Sequence, residues 1–132
     1  MTLVYSARLS YGGPDRLDVT RASATEGLFL APSWAILRPA LEAFRVLHGP
    51  ALERAWLDYV ERYTAEMRAS YRKHRDAWHD LTQRERVVLV CFCTDPKRCH
   101  RAILREHLLP ALGAVDAGEI EEQPIQGRLG LL

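Results

Sequence analysis

No stretch of this sequence approaches the ~20 consecutive apolar residues that a membrane-spanning helix needs, so no bilayer-spanning segment and no membrane partner are expected. The opening MTLVYSARLS lacks a basic leader and a long apolar stretch, so no signal peptide is expected either. Cysteine is scarce, at three residues, and the number is odd. That argues against a secreted disulfide framework and agrees with a reducing compartment, the cytoplasm by default. An excess of one charge is also missing: 18 Lys and Arg stand against 17 Asp and Glu, a net charge of +1. Nothing in that total demands nucleic acid as a partner, although a local patch can recruit it.

What is present is ordinary for a globular chain: 48% apolar and 27% charged residues over 132 positions. The length points to a single domain, residues 1–132, with enough surface to bury for a real core. In TLVYSARLSY, Leu3, Tyr5, Ala7 and Leu9 alternate with Thr2, Val4, Ser6 and Arg8, which reads as a strand of period two. Tyr11 to Asp15 (YGGPD) is a turn, and Arg16 to Ser23 (RLDVTRAS) reads as a second short strand entering a loop. Ser33 is placed to cap a helix in WAILRPALEAFRVLHG that Pro39 should break or restart and Gly49 should end. Leu52, Trp56, Tyr59, Val60, Tyr63 and Met67 then mark the inner stripe of a helix from about residue 51 to about residue 70. A short basic helix follows, with Trp78 and Leu81 inward. The even spacing of Trp34, Trp56 and Trp78 has no matching flanks and is not a repeat.

RVVLVCFC, Arg86 to Cys93, is the near-continuous apolar run of a strand buried on both faces, as in the centre of a parallel sheet. TDPKRCHRAILREHLLPALG reads as a helix with Asp95 capping, Pro96 at its first position, and Ile103, Leu104, Leu108 and Leu112 inward. Residues 119–132 read as a possible edge strand and a frayed tail. The class is α/β: a small, mostly parallel sheet of about three to five strands flanked by helices, three-layer-like.

All three cysteines fall in CFCTDPKRCHR, residues 91 to 101, together with Lys97, Arg98, His100 and Arg101. A strand feeding a helix start is where open α/β sheets bind ligands. Cations crowding that positive helix end cost a few tenths of a kcal/mol each unless an anion completes the set. The competing reading is a solvated basic turn paired with acids such as Glu106. Cys93 sits beside Lys97 and Arg98, which favour its thiolate. Its C-x4-R spacing to Arg98 matches rhodanese-like sulfur transferases, although the loop has no glycine and Pro96 removes a cradle N–H. Thiol chemistry at Cys93, sulfur transfer or dephosphorylation, stands against a small apolar-like residue at a strand end. Asp18 and Arg21 are placed opposite, with Asp18 either orienting His100 or Arg101 or acting as a turn acceptor. By type, Cys91, Cys93, Cys99 and His100 could ligate zinc. The spacing argues against it, with Cys91 inside a strand and Cys99 and His100 diverging by about 100° on a helix. No metal and no cofactor are therefore expected. The basic run Arg68 to His79, its Arg68 to Arg75 face above all, is the candidate nucleic-acid surface, with a solvated helix face as the alternative.

The segment LVCFCTDPKRCHRAILREHL resembles the family called domain of unknown function 488, in which an apolar strand and a Cys-rich turn lead to CHR at a helix start. Here Cys99, His100 and Arg101 match CHR, and Asp18 to Arg21 (DVTR) is similar to the family's DVR element with Thr20 inserted. LAPSWAILR and the Trp56 to Tyr63 pattern look like its YeaO-like branch. The resemblance implies a small α/β domain with a polar cleft around CHR and DVR, and supplies no reaction. The resulting expectation is a cleft that binds a small anionic ligand: phosphate, a nucleotide or a nucleic-acid end. Lys97, Arg98, His100, Arg101, Asp18 and Arg21 would line it and Cys93 would form its floor. The alternatives are a thiol-dependent enzyme and a nucleic-acid accessory protein, with the oligomeric state open.

Overall fold

The computed structural model describes residues 1–121. Four parallel strands, β1 (Leu3–Arg8), β2 (Arg16–Asp18), β3 (Arg86–Cys91) and β4 (Val115–Glu119), form one sheet in the order β2-β3-β1-β4. The apolar run is accordingly a central strand. Val87 to Val90 are fully buried, because β3 is paired on both edges and covered on both faces. Alternation splits its side chains: Val87, Leu89 and Cys91 face one core, while Val88 and Val90 face another.

The larger core receives helices α2 (Gly49–Lys73), α3 (Arg75–Leu81) and α4 (His100–Ile103). Tyr59, Tyr63 and Met67 of α2 and Trp78 and Leu81 of α3 are buried there, on the inner stripes that the spacing predicts. No helical residue belongs to the smaller core, so the three-layer expectation gives way to helices on one face among the described residues. The opposite face is covered by the link between β1 and β2, where Leu9 and Tyr11 pack on Ala7, Val88 and Val90. Arg16 clips that link, donating from Nε to the Tyr11 carbonyl and from Nη2 to the Leu9 carbonyl.

Three boundaries differ from the sequence reading. Helix α1 (Trp34–Val46) runs unbroken through Pro39. Pro39 and Ala35 are both exposed, on the side of α1 where a carbonyl that loses its helical partner is least costly. Ser33 precedes α1 but caps nothing: its hydroxyl and its N–H both go to the Glu66 carboxylate of α2, the latter at 2.8 Å. The helix after β3 starts at His100, not near Asp95. Asp95 instead accepts from the Lys97 N–H at 2.9 Å, closing a turn that holds Lys97 and Arg98 off the helix. Those two cations therefore do not oppose its dipole.

From α4 the chain widens into a π segment (Leu104–Leu108), with the Leu109 N–H reaching the Leu104 carbonyl at 2.9 Å. The edge strand lies at Val115–Glu119, sharing only Glu119 with the tail where it was expected. The frayed tail falls outside the described residues beyond position 121.

Candidate functional site

Cys91 ends β3 and Cys93 follows two residues later on the same side of the chain. The turn through Asp95 then doubles the chain back, so that Cys99 meets both. The three Sγ atoms lie within 4.8 Å of one another, with Cys91 and Cys93 at 4.0 Å. All three thiols are free. Cys99 is extended rather than helical (φ −142°, ψ 147°), which turns its side chain back toward the strand end. The 100° divergence expected for Cys99 and His100 on one helix therefore does not apply.

His100 closes the group. Its Nδ1 lies 3.8 Å from the Sγ of Cys91 and of Cys99, and its Nε2 lies 2.7 Å from the Val19 carbonyl. A carbonyl only accepts, so Nε2 carries a proton and, in the neutral ring, the Nδ1 lone pair faces the sulfurs. Tyr63 packs edge-on against the imidazole at 5.5 Å and donates its own hydroxyl to the Leu30 carbonyl at 2.7 Å.

Proton sharing sets the thiols apart. Cys91 is driven down by hydrogen bonding with Cys93 and Cys99, and nearby His100 adds to this against the cost of burial. Cys93 is pushed up to about 12, chiefly by sharing its proton with Cys91. Burial pushes Cys99 well up. The three thiols are therefore coupled through shared protons, and ionisation of one discourages ionisation of the others.

Arg101 does not face a ligand. It is fully buried and forms a bidentate pair with Glu119, Nε at 3.1 Å and Nη2 at 2.8 Å. Nη1 donates to the Cys93 carbonyl at 2.9 Å and to Cys99 Sγ at 3.4 Å. Burial alone would weaken its charge, but the Glu119 bonds hold it firmly protonated. Glu119, for its part, is held below the usual carboxylate range: burial opposes, and bonds from Arg101 and Ser6 prevail. Arg105 extends the network to Ser6 at 2.6 Å and Asp116 at 2.8 Å. Sequence reasoning missed Glu119, Arg105, Ser6 and Asp116. Two arginines four residues apart on an otherwise inward helix face were the signal for part of it.

Asp18 pairs with neither His100 nor Arg101. It accepts from the Thr20 N–H at 2.8 Å and the Ser23 hydroxyl at 2.6 Å, the turn-acceptor reading. Arg21 donates to the Pro32 and Ala31 carbonyls at 2.7 and 3.2 Å, bracing the entry to α1.

A cleft of about 480 Å³ opens beside the thiols, at the C-terminal ends of β2 and β3 and under α1. Cys91, Cys93 and His100 reach it from below, Trp34, Leu37, Leu41 and Phe44 form an apolar wall, and Arg21, Arg45 and Arg98 stand around it. Of the residues expected to bind, Arg21, Arg98, His100 and Cys93 line the cleft. Lys97, Arg101 and Asp18 do not. Arg45 and the α1 wall were not anticipated, because their spacing reads as ordinary amphipathic helix.

The Arg68 to Arg75 face is separate from the cleft. Arg68, Arg72, Lys73 and Arg75 are exposed, and Arg72 and Lys73 occupy the last turn of α2, where cations suit the helix dipole. No helix among the described residues is long and apolar enough to cross a membrane.

No curated protein and no solved structure matches the chain. A family model described as "DUF488-N3a: Active DUF488-N3 subclade" matches residues 27–112, a span that holds all three thiols, His100, Arg101 and the α1 wall. The description names the N3a subclade and is silent on a YeaO-like branch. With most of its length inside that match, this chain belongs to the DUF488 family.

Proposed function

We propose that the cleft binds a small phosphate-bearing molecule with a flat apolar part, of the nucleotide class. One observation carries the reading. The buried Nε of Arg98 has no acceptor among the described residues, and its Nη groups make only loose pairs, 3.3 Å to Asp95 and 3.5 Å to Glu53. Nη donors held this loosely at a cleft can turn to an incoming anion at little cost. Around the same cleft three arginines stand against one lining carboxylate, Asp95, so the lining favours an anion. Trp34, 42% exposed, offers a surface on which a base could stack.

This reading keeps Arg98 and Arg21 from the sequence analysis and adds Arg45. It leaves Arg101 as the buried strut that carries the floor. Thiol catalysis at Cys93 is less well supported, because its proton is shared with Cys91 and is not readily lost.

The test is titration calorimetry with inorganic phosphate and with a nucleoside monophosphate. A charge-assisted hydrogen bond is worth about 1.5–3 kcal/mol, so Arg98→Ala should weaken nucleotide binding by roughly 10- to 150-fold. Arg45→Ala should weaken it less, since that side chain is exposed and already paired with Glu42. Absence of heat with either ligand, or equal affinity in Arg98→Ala, overturns the reading.

A further inference from the structure

We infer that Cys91, Cys93, Cys99 and His100 form a binding site for a single thiophilic divalent metal ion, with zinc the best fit. The sequence analysis set a metal aside on spacing alone. Cys91 is indeed a buried residue of its strand, but it is the last one, so its sulfur can still meet those beyond the strand end, and Cys99 is not helical.

The distances suit a tetrahedral site. Zn–S bonds of ~2.3 Å and Zn–N bonds of ~2.0–2.1 Å at tetrahedral angles imply S···S edges of ~3.8 Å and S···N edges of ~3.6 Å. Here Cys91 and Cys93 stand 4.0 Å apart, and His100 Nδ1 stands 3.8 Å from Cys91 and from Cys99. Three of the six edges thus lie within a few tenths of an ångström of those values, and the three sulfurs all lie within 4.8 Å of one another, so a short movement of Cys93 and Cys99 would complete the tetrahedron.

A second observation is independent of the sulfurs. The 2.7 Å bond from Nε2–H to the buried Val19 carbonyl fixes the ring and leaves Nδ1 as the donor atom. Such an outer hydrogen bond to a backbone carbonyl is what metal-bound histidines usually make. Charge is provided for as well. A divalent ion with three thiolates and a neutral imidazole carries a net negative charge, and the buried Arg101 guanidinium donates directly to Cys99 Sγ at 3.4 Å. Binding would release the protons the thiols still hold, without any redox step.

Four protein donors make a closed site of the structural kind. It would staple the turn 92–99 to the end of β3 and to the start of α4, and so hold Arg98 in place at the cleft. The inference stands on the thiol geometry alone and does not depend on the anion reading.

The test uses the full reduced chain, stripped with a chelator and titrated with Co(II), then Zn(II). The expected result is intense thiolate-to-cobalt charge transfer and tetrahedral visible bands saturating at one equivalent and abolished by zinc. All three thiols should be shielded from a disulfide reagent once zinc is added. Loss of a ligand should cost no less than loss of an outer-shell partner, so Cys93→Ser should weaken binding by at least ~10–100-fold. Cys93 is the choice because it is the most exposed of the three. If that variant does not fold, thiol shielding in the unmodified chain decides. A weak octahedral cobalt spectrum, equal thiol reactivity with and without zinc, or full affinity in Cys93→Ser overturns the inference. So does conversion of two thiols to a disulfide with no metal uptake.

Discussion

The Nε2 of His100 donates a 2.7 Å hydrogen bond to the carbonyl oxygen of Val19, tying the start of α4 to the segment just past β2 across 81 residues of sequence. Both groups are buried. His100→Ala should therefore leave the Val19 carbonyl without its partner, costing about 1–3 kcal/mol for that group alone, with a further loss for the space left beside Tyr63. Urea unfolding in metal-free buffer measures this. An unchanged midpoint would remove His100 as a link between the two elements.

The fully buried Arg101 pairs with Glu119, whose side chain keeps 17% exposure. Breaking a buried pair by removing one charge costs more than the pair itself contributes, about 3–5 kcal/mol. Glu119 is partly open to water, so Glu119→Gln should cost the lower end of that range or less at pH 7. The pH dependence has a definite sign. Glu119 is depressed in the folded protein, so its contribution is present above the ordinary carboxyl range and is lost as pH falls through and below it. Urea midpoints at pH 7 and pH 3.5 should differ less in Glu119→Gln than in the unmodified chain. The idea fails if the two proteins lose equal stability on acidification.

Asp18 is occupied by Thr20 and Ser23, an arrangement internal to its own turn. Asp18→Ala should cost about 1 kcal/mol of stability and leave nucleotide affinity unchanged. A tenfold loss of affinity at full stability would return Asp18 to the cleft.

Gly27 packs directly on the end of β2. A Cβ built there would collide with the Asp18 carbonyl oxygen, a backbone atom that cannot rotate away. Gly27→Ala should destabilise by about 1–3 kcal/mol, the range for forced overpacking. Thermal unfolding checks it, and a neutral result would show that the segment 24–33 can shift as a unit.

Trp34 is the exposed indole at the cleft, with Arg38 stacked on its ring at 4.8 Å, whereas Trp78 is buried in the core. Nucleotide binding should quench and shift tryptophan emission, and Trp34→Phe should abolish most of that change. Equal quenching in the variant would place the ligand elsewhere.

Local pattern accounts for much of the architecture. The period-two run at Leu3 to Leu9, the unbroken apolar run of β3, the Tyr59–Tyr63–Met67 stripe and the Gly49–Pro50 junction each state a backbone preference that survives in the fold. The errors arose where a side chain found a partner other than the helix end it was expected to cap. Ser33 gave up its cap for Glu66, and Asp95 closed a turn instead of opening a helix. Pro39 was tolerated because it and Ala35 lie on the exposed side of α1.

The amino-acid sequence by itself determined the α/β class, the central strand and the fact that thiols, imidazole and cations share one short segment. These follow from spacing along a chain with two fixed periodicities, 3.6 and 2. Only the tertiary structure decided what that segment does with its groups. It curled the turn so that three sulfurs converge with an imidazole nitrogen against two of them, buried Arg101 against Glu119 on the far edge strand, and left Arg98 at the cleft. No periodicity rule anticipates those partners, because the thiols meet only through the turn at Asp95 and Arg101 meets Glu119 only through the sheet, and burial makes each polar group accept whichever partner the packed core brings to it.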